Sequence, residues 1–234
     1  MSQSRWMGFL LALAATLVAA YPVLAVDGVI EINQSRALAG GITPGDGPGF
    51  PVQISVSGSY RLTSDLNGAA GFDGIDVAAD NVTIDLNGFT IYGLAGGITD
   101  GISLGVSKNV EIKNGTVRGF TRDGIFTAAA SQFIRVINVR VIGNLTFGID
   151  LEGQGNTIEG CTALNSNTGM RAFDGSLVTD SVARGNSSFG LVLNGPSGYR
   201  SCVFTSNNGG DANPQVSGGF QLGTNVCGAD TVCP

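Results

Sequence analysis

The chain has 234 residues, 37 of them glycine, with 12 basic and 18 acidic residues and a formal net charge of −6 at pH 7. This acidic balance opposes binding to a phosphate backbone, so a nucleic-acid partner is not expected. The chain contains no histidine, which excludes an imidazole base, a Ser-His-Asp triad and histidine-ligated metals.

The first 25 residues have the pattern of a secretory signal peptide. Arg5 gives a basic start, Phe9 to Ala20 form an apolar run, and Val23-Leu24-Ala25 is a small-residue cleavage site. The run is too short to span a bilayer comfortably. We therefore predict a secreted protein, extracellular or periplasmic, with no membrane contact after cleavage.

Residues 26–50 are predicted to be an N-terminal cap. Val29 to Ile32 alternate as a strand does, Gln34 to Ala39 favour a short helical turn, and a loop rich in glycine and proline follows. A stack of strands leaves an open apolar end, and a segment of this kind covers it.

A short phrase recurs through the rest of the chain: a glycine, an apolar residue, any residue and usually another apolar residue. Its copies begin at Gly74, Gly101, Gly124, Gly148, Gly169, Gly190 and Gly219. Self-similarity at this period is typical of a solenoid, in which each repeat is one unit stacked on its neighbours.

The unit from Gly74 to Gly93 contains three short runs with apolar residues at alternate positions, separated by Asp80-Asn81 and Asn87-Gly88. Because the runs repeat in one direction along the chain, each strand is expected to pair in parallel with its copy one turn later. The prediction is an all-β solenoid of three parallel sheets and about eight turns over residues 51–223. Residues 224–234 are predicted to be a C-terminal end segment.

Asparagines recur at the predicted corners, where their tolerance of left-handed backbone angles suits a turn. Asn87, Asn114 and Asn138 are predicted to share one corner, continued by Gly160, Asp180 and Ser201. A second ladder is predicted from Asn144, Asn165 or Asn167, Asn186 and Asn207.

The segment Asn81 to Ile91 and the Gly-Ile repeats resemble the right-handed parallel β-helix proteins of the pectate-lyase-like superfamily, over roughly residues 52–223. The resemblance implies a single-stranded right-handed parallel β-helix and a function connected with polysaccharide. It implies no particular activity, because unrelated functions are grafted on this scaffold.

The third position of the phrase should face outward, since its apolar neighbours face the core. This places Asp150, Glu152 and Arg171 on neighbouring strands, flanked by Phe126 and Phe173. We predict that Phe126, Asp150, Glu152 and Phe173 bind substrate. An exposed Asp150–Arg171 pair with a small effect on stability is the simpler interpretation.

Polysaccharide lyases of the superfamily hold calcium with carboxylates on this sheet, and an arginine or lysine abstracts the proton. Carried over by position, the resemblance implies Arg171 as the base and Asp123, Asp150 and Glu152 as calcium ligands. The sequence departs from the family's catalytic signatures: it has no Arg-x-Pro-x-x-Arg segment, and histidine-dependent hydrolases and epimerases are excluded.

A second candidate calcium site consists of the aspartates that precede the recurring glycine, Asp73, Asp100 and Asp123. Carboxylates stacked about 4.8 Å apart repel one another unless water, Arg122 or a cation lies between them. Asp-Gly is also a favoured corner, which is the alternative explanation.

The four cysteines permit three disulfide pairings. Cys161 and Cys202 fall in one column with Ser181 between them, about 9.6 Å apart, beyond the reach of a disulfide. We therefore predict a Cys227–Cys233 disulfide and two buried free thiols.

Two functions fit the sequence. The first is interaction of a monomeric secreted protein with extracellular, acidic polysaccharide, with lyase-like cleavage left open. The second is a non-catalytic structural, adhesive or surface protein whose rigid rod is its function, and the missing catalytic motifs favour it.

Overall fold

A computed structural model describes residues 28–230 and 233. The predicted signal peptide, residues 1–25, lies outside the described residues. No helix in the described part of the chain has the length and apolar character needed to cross a membrane.

The described residues form one helix and a succession of short strands. The helix α1 is Gln34–Ala39, and the strands of the first two turns are β1 Ile30–Ile32, β2 Val52–Ile54, β3 Gly58–Leu62, β4 Leu66–Asn67, β5 Ile75–Val77, β6 Val82–Asp85 and β7 Thr90–Tyr92. The middle turns contain β8 Ile102–Leu104, β9 Val110–Arg118, β10 Ile125–Thr127, β11 Arg135–Ile142, β12 Phe147–Leu151, β13 Thr157–Glu159, β14 Thr162–Leu164 and β15 Thr168–Ala172. The last turns contain β16 Leu177–Thr179, β17 Val182–Arg184, β18 Leu191–Leu193, β19 Gly198–Arg200, β20 Val203–Thr205, β21 Val216–Ser217, β22 Phe220–Gln221 and β23 Val226–Cys227.

The strands form two parallel sheets, because each strand pairs with its copy one turn later. Sheet 1 has eight strands in the order β2-β5-β8-β10-β12-β15-β18-β21. Sheet 2 has 15 strands, and its long strands β9 and β11 bend around a corner and join two faces of the solenoid. The predicted fold is confirmed: the stack has three faces, two of which are continuous through these bent strands.

The core is the inside of this stack. Inward positions carry Ile, Val and Leu, as in the column Val52, Ile75, Ile102, Ile125, Ile149. In most strands alternate residues are buried, since successive side chains point to opposite faces. The core therefore extends along the whole solenoid as a continuous apolar column.

The recurring glycine is required by close packing between successive turns. A Cβ atom built on Gly101 would lie 2.5 Å from the carbonyl oxygen of Gly124, and one on Gly124 would lie 2.5 Å from that of Gly148. The same contact recurs at Gly74, Gly148 and Gly169. A side chain at these positions would therefore separate two turns.

The seventh copy of the phrase was placed wrongly in the sequence prediction. Val192 of β18 pairs with Ser217, while Phe220 of β22 pairs with Gly198 in sheet 2. The equivalent of Gly190 is Gln215, whose carbonyl oxygen accepts a hydrogen bond from the Gly190 amide. Within residues 28–230 no further strand of sheet 1 follows β21, so a side chain at Gln215 meets no carbonyl from a next turn there. Glycine is dispensable there, and the motif disappears.

The first predicted corner is confirmed by its backbone. Asn87, Asn114, Asn138, Gly160, Asp180 and Ser201 all have φ between 52° and 62°.

The second ladder holds Asn144, Asn186 and Asn207, which are buried. The side-chain Oδ1 of Asn186 accepts a hydrogen bond from the backbone amide of Ser166. Ser166 therefore occupies the place predicted for Asn165 or Asn167.

The two ends of the described chain each add a strand to the stack. β1 pairs with β3, and the Asn33 side chain caps α1 by accepting from the Arg36 amide at 3.0 Å. β23 pairs with β20. Cys227 and Cys233 lie together as a pair, with Cα atoms 5.2 Å apart, and Cys161 and Cys202 are buried and free.

Candidate functional site

The candidate site lies on the outward face of sheet 1. Strands β10, β12 and β15 bring three predicted residues side by side, because Phe126 pairs with Asp150 and Asp150 pairs with Arg171. Glu152 directly follows β12, and Phe173 directly follows β15. The structure thus brings together the residues predicted to bind substrate.

Arg171 is the centre of a tightly connected group. Its Nε donates to Asp150 Oδ1 at 2.7 Å, and its Nη2 donates to Asp150 Oδ2 at 2.5 Å and to Glu152 Oε1 at 2.8 Å. Its Cζ lies 4.2 Å from the ring centroid of Phe147 and 5.3 Å from that of Phe173. We call Phe147, Asp150, Glu152, Arg171 and Phe173 the Arg171 cluster.

The electrostatics of the cluster keep Arg171 protonated. Burial alone would lower the pKa of Arg171, but its hydrogen bonds to Asp150 and the charges of Asp150 and Glu152 outweigh it, so the pKa is raised. Burial raises the pKa of Asp150, whose side chain is 2% exposed, and the bonds from Arg171 oppose that rise. A base must first lose its proton. The arrangement therefore does not fit proton abstraction by Arg171.

A second arginine repeats the arrangement two turns earlier. The guanidinium of Arg122 bonds both carboxylate oxygens of Asp100, with Nε to Oδ1 at 2.7 Å. Its Cζ lies 4.7 Å from the ring centroid of Phe126. Phe126 and Phe173 therefore accompany different arginines.

Phe147 and Arg122 were missed as site residues by the sequence analysis. Phe147 stands in the column of the residues that precede the recurring glycine, one turn after Asp123. Reading that column together with the outward column would have found Phe147, whereas Arg122 lies one residue before Asp123 and outside both columns.

The aspartates that precede the glycines form a ladder along the stack. Asp73 Oδ1 accepts from the Asp100 amide at 2.6 Å, Asp100 Oδ1 from the Asp123 amide at 3.0 Å, and Asp123 Oδ1 from the Phe147 amide at 2.9 Å. Each carboxylate thus ties one turn to the next through a backbone N–H. Arg122 supplies a positive charge beside Asp100 and Asp123, which is one of the ways predicted from the sequence to reduce the repulsion between the carboxylates.

The donor set does not fit calcium. Within residues 28–230 and at 233, no group of three or more Asp, Glu, Cys or His side chains is arranged to hold a metal ion. The oxygens of Asp73, Asp100 and Asp123 are directed at amides and at Arg122, while those of Asp150 and Glu152 bind Arg171. Calcium takes six to eight oxygen ligands, so we assign no step of binding or catalysis to this ion.

Protons, together with Arg122, relieve the repulsion in the ladder. Burial, opposed by a hydrogen bond from the Phe147 amide and increased by the charge of Asp100, raises the pKa of Asp123 to about 7. Burial likewise raises the pKa of Asp73 to about 6, opposed by its bond from the Asp100 amide and increased by the charge of Asp100. Both carboxyls therefore gain protons at mildly acidic pH.

The comparisons with known proteins agree with this architecture. Residues 54–213 match the family model described as "Right handed beta helix region". The chain belongs to this family. No curated protein sequence matches it.

Two solved structures that are similar to this chain act on polysaccharide, by their titles. The A-module of the mannuronan C-5 epimerase AlgE4 from Azotobacter vinelandii superposes with a TM-score of 0.56 and 16% identity, over 85% of this chain and 68% of that one. A variant of the periplasmic alginate epimerase AlgG superposes with a TM-score of 0.45 and 15% identity, over 71% of this chain and 46% of that one. At 16% identity, the likeness to the AlgE4 A-module establishes the fold alone.

Proposed function

We propose that this protein binds an extracellular polysaccharide along the outward face of sheet 1 and does not cleave it. The observation that carries the proposal is the position of Arg171, held by Asp150 and Glu152 between the rings of Phe147 and Phe173. The result is a rigid surface of mixed apolar and polar character. Such a surface is pre-organised, which lowers the entropy lost on binding.

Each part of this face has a role in the proposal. The half-buried rings of Phe126 and Phe173 offer apolar surface to the C–H faces of sugar rings. Glu152, 31% exposed, offers acceptors to sugar hydroxyls at the edge of the cluster. The regular strand spacing of about 4.8 Å lets an extended chain cross several turns.

The charge of the face favours a neutral polysaccharide over the acidic one predicted from the sequence. Carboxylates outnumber guanidiniums: the face and its edge carry Asp73, Asp76, Asp100, Asp123, Asp150 and Glu152 against Arg122 and Arg171. Like charges repel a polyanion at this surface, and both arginines already have partners.

Secretion and a monomeric state belong to the same proposal. The pairing of Cys227 with Cys233 at the C-terminal end supports an oxidising compartment, extracellular or periplasmic.

The binding test compares Phe173→Ala and Phe126→Ala with Phe220→Ala, which removes an exposed ring at the C-terminal end of the stack. Affinity for a panel of neutral glucans, mannans and galactans is measured by titration calorimetry. We expect the Phe173 variant to bind on the order of tenfold more weakly, about 1.4 kcal/mol, and Phe220→Ala to match the wild type. Absence of binding by the wild type across the panel would favour the rigid structural rod.

The cleavage test asks whether any reaction occurs. The protein is incubated with uronate polymers, with and without calcium, and the solution is followed for ultraviolet-absorbing unsaturated sugars. We expect none, because Arg171 is paired and protonated. A product that disappears in Arg171→Lys would overturn the non-catalytic proposal and restore the lyase hypothesis.

A further inference from the structure

A different face of the solenoid carries a concentration of unpaired positive charge. It is made by β7, the C-terminal halves of β9 and β11, and β14, β17, β20 and β23. Its inward residues are buried, and its outward residues fall in two columns. One reads Thr90, Thr116, Arg140, Thr162, Val182, Val203, Val226, and the other reads Tyr92, Arg118, Ile142, Leu164, Arg184, Thr205. We call this surface the arginine face.

The three arginines lie at defined positions on it. Arg118 pairs with Ile142, and the same column continues through Leu164 to Arg184. Three strand spacings separate Arg118 from Arg184, about 14 Å. Arg140 stands in the neighbouring column on β11, beside Arg118. The charges therefore follow the axis of the stack.

None of these three side chains is engaged within the described protein. Arg118, Arg140 and Arg184 are exposed, and the ion pairs among the described residues involve other basic groups: Arg61, Lys113, Arg122, Arg135 and Arg171. The outward positions of the seven described strand segments hold no Asp or Glu. Acidic residues lie at the bounding corners, among them Asp65, Asp180 and Asp211.

We propose that the arginine face binds an acidic polysaccharide. An unpaired guanidinium presents a fork of donors that matches a carboxylate or sulfate group, and three of them along one axis suit a polymer that repeats its charge. Half-buried Ile142, Leu164 and Val182 provide an apolar surface between the charges. Threonines in the same columns add hydroxyls. This surface is separate from the Arg171 cluster, and the inference does not rest on the proposed function.

A polysaccharide fits better than the other polyanions. The chain carries a net charge of −6, which opposes the dense charge of duplex DNA or an anionic bilayer at physiological salt. A sugar chain has a lower charge density and presents rings to the aliphatic strip. The experiment below distinguishes an acidic polysaccharide from three other partners: duplex DNA, an anionic vesicle and a second copy of the chain.

The experiment compares two triple variants that change net charge equally. Arg118→Gln/Arg140→Gln/Arg184→Gln removes the arginine face, and Arg36→Gln/Lys108→Gln/Arg200→Gln removes three exposed basic residues elsewhere. Binding of polygalacturonate is measured at several salt concentrations, beside a neutral glucan, duplex DNA and phosphatidylserine vesicles. Thermal melts verify that both variants fold.

The expected result is salt-sensitive binding of polygalacturonate by the wild type and the control. The arginine-face variant loses at least tenfold in affinity, and Phe173→Ala leaves this binding unchanged. Equal losses in both triple variants would overturn the proposal, as would no binding by the wild type. Stronger binding to DNA or to vesicles, or dimerisation that the arginine-face variant abolishes, would reassign the face to another partner. Binding of the neutral glucan tests only the outward face of sheet 1. The two proposals can therefore fail independently.

Discussion

The outward face of sheet 1 and the arginine face carry arginines in similar strand positions, yet they use them differently. On sheet 1, Arg171 is 22% exposed and bonds two carboxylates, whereas Arg184 on the arginine face is exposed and makes no ion pair with any residue that the structure describes. The difference comes from the neighbouring strands. Arg171 has Asp150 beside it, while Arg184 lies between Leu164 and Thr205. An outward-facing arginine of this solenoid can therefore stabilise the fold or remain available to a partner.

The largest expected effect is a difference between Arg171 and Arg184 in their contribution to the free energy of unfolding. Arg171→Met should destabilise the protein by about 3–5 kcal/mol, because it leaves the buried carboxylate of Asp150 without its partner. Arg184→Met should change stability by no more than about 0.5 kcal/mol, as is usual for exposed positions. Chemical denaturation measures both.

The pH dependence provides the control for that prediction. Without Arg171, the pKa of Asp150 rises further, so the protonated folded state is favoured and the loss in Arg171→Met should shrink as pH falls. Equal stabilities of the two methionine variants at neutral pH would mean that the cluster contributes nothing to folding.

The next effect concerns the aspartate ladder beside sheet 1, which has no counterpart on the arginine face. The pKa of Asp123 is raised to about 7 from an ordinary value near 3.8, so the folded state holds a proton that the unfolded state releases. Its contribution to stability is present below pH 4 and is lost as pH rises towards 7. Asp123→Asn should remove this slope and raise stability at pH 8 by roughly 1–3 kcal/mol.

Denaturation midpoints from pH 4 to pH 8 measure this slope. Asp180→Asn, at an exposed corner beside the arginine face, is the matched control and should leave the profile unchanged. A wild-type stability that increases steadily over this range would contradict the raised pKa.

The smallest effect compares two corners of one turn. Phe133, which follows β10 of sheet 1, has φ 58° and is 61% exposed, whereas Asn138, near the start of the arginine face, has φ 54°. A left-handed backbone is costly for a bulky side chain and easy for asparagine. Phe133→Asn should therefore stabilise the protein by about 0.5–1 kcal/mol.

Thermal melts beside Asn138→Ala test this corner, since the alanine variant should lose stability by a similar amount. A fall in melting temperature for Phe133→Asn would indicate that the exposed ring makes stabilising contacts.

The fold was predictable from the repeat, because the same pattern of apolar residues, glycines and corner asparagines occurs in many turns. Apolar residues at alternate positions located the strands, and the corner asparagines located the turns. The errors occurred where the repeat ends: Gly219 starts a phrase by its letters, but the last turn of sheet 1 uses Gln215. No following turn of sheet 1 constrains that position in the described part of the chain, so the sequence carries no signal for it.

The site was predictable in position and less so in chemistry. The outward column correctly brought Asp150 next to Arg171. Whether Asp150 and Arg171 are free to bind a ligand depends on their burial and side-chain rotamers, which the sequence pattern does not reveal. Asp150 is nearly inaccessible and Arg171 is saturated with acceptors. The arginine face escaped notice because its three charges are spread over two columns and share no motif.

The contact between successive glycines also bears on how such a chain changes over evolutionary time. Each glycine from Gly74 to Gly169 makes room for the carbonyl oxygen of the next one, so a single replacement affects two turns at once. A whole turn, by contrast, brings its own glycine and its own carbonyl. Lengthening by duplication of complete units is therefore far easier for this solenoid than gradual alteration of the strand starts, while the outward positions are left to vary independently.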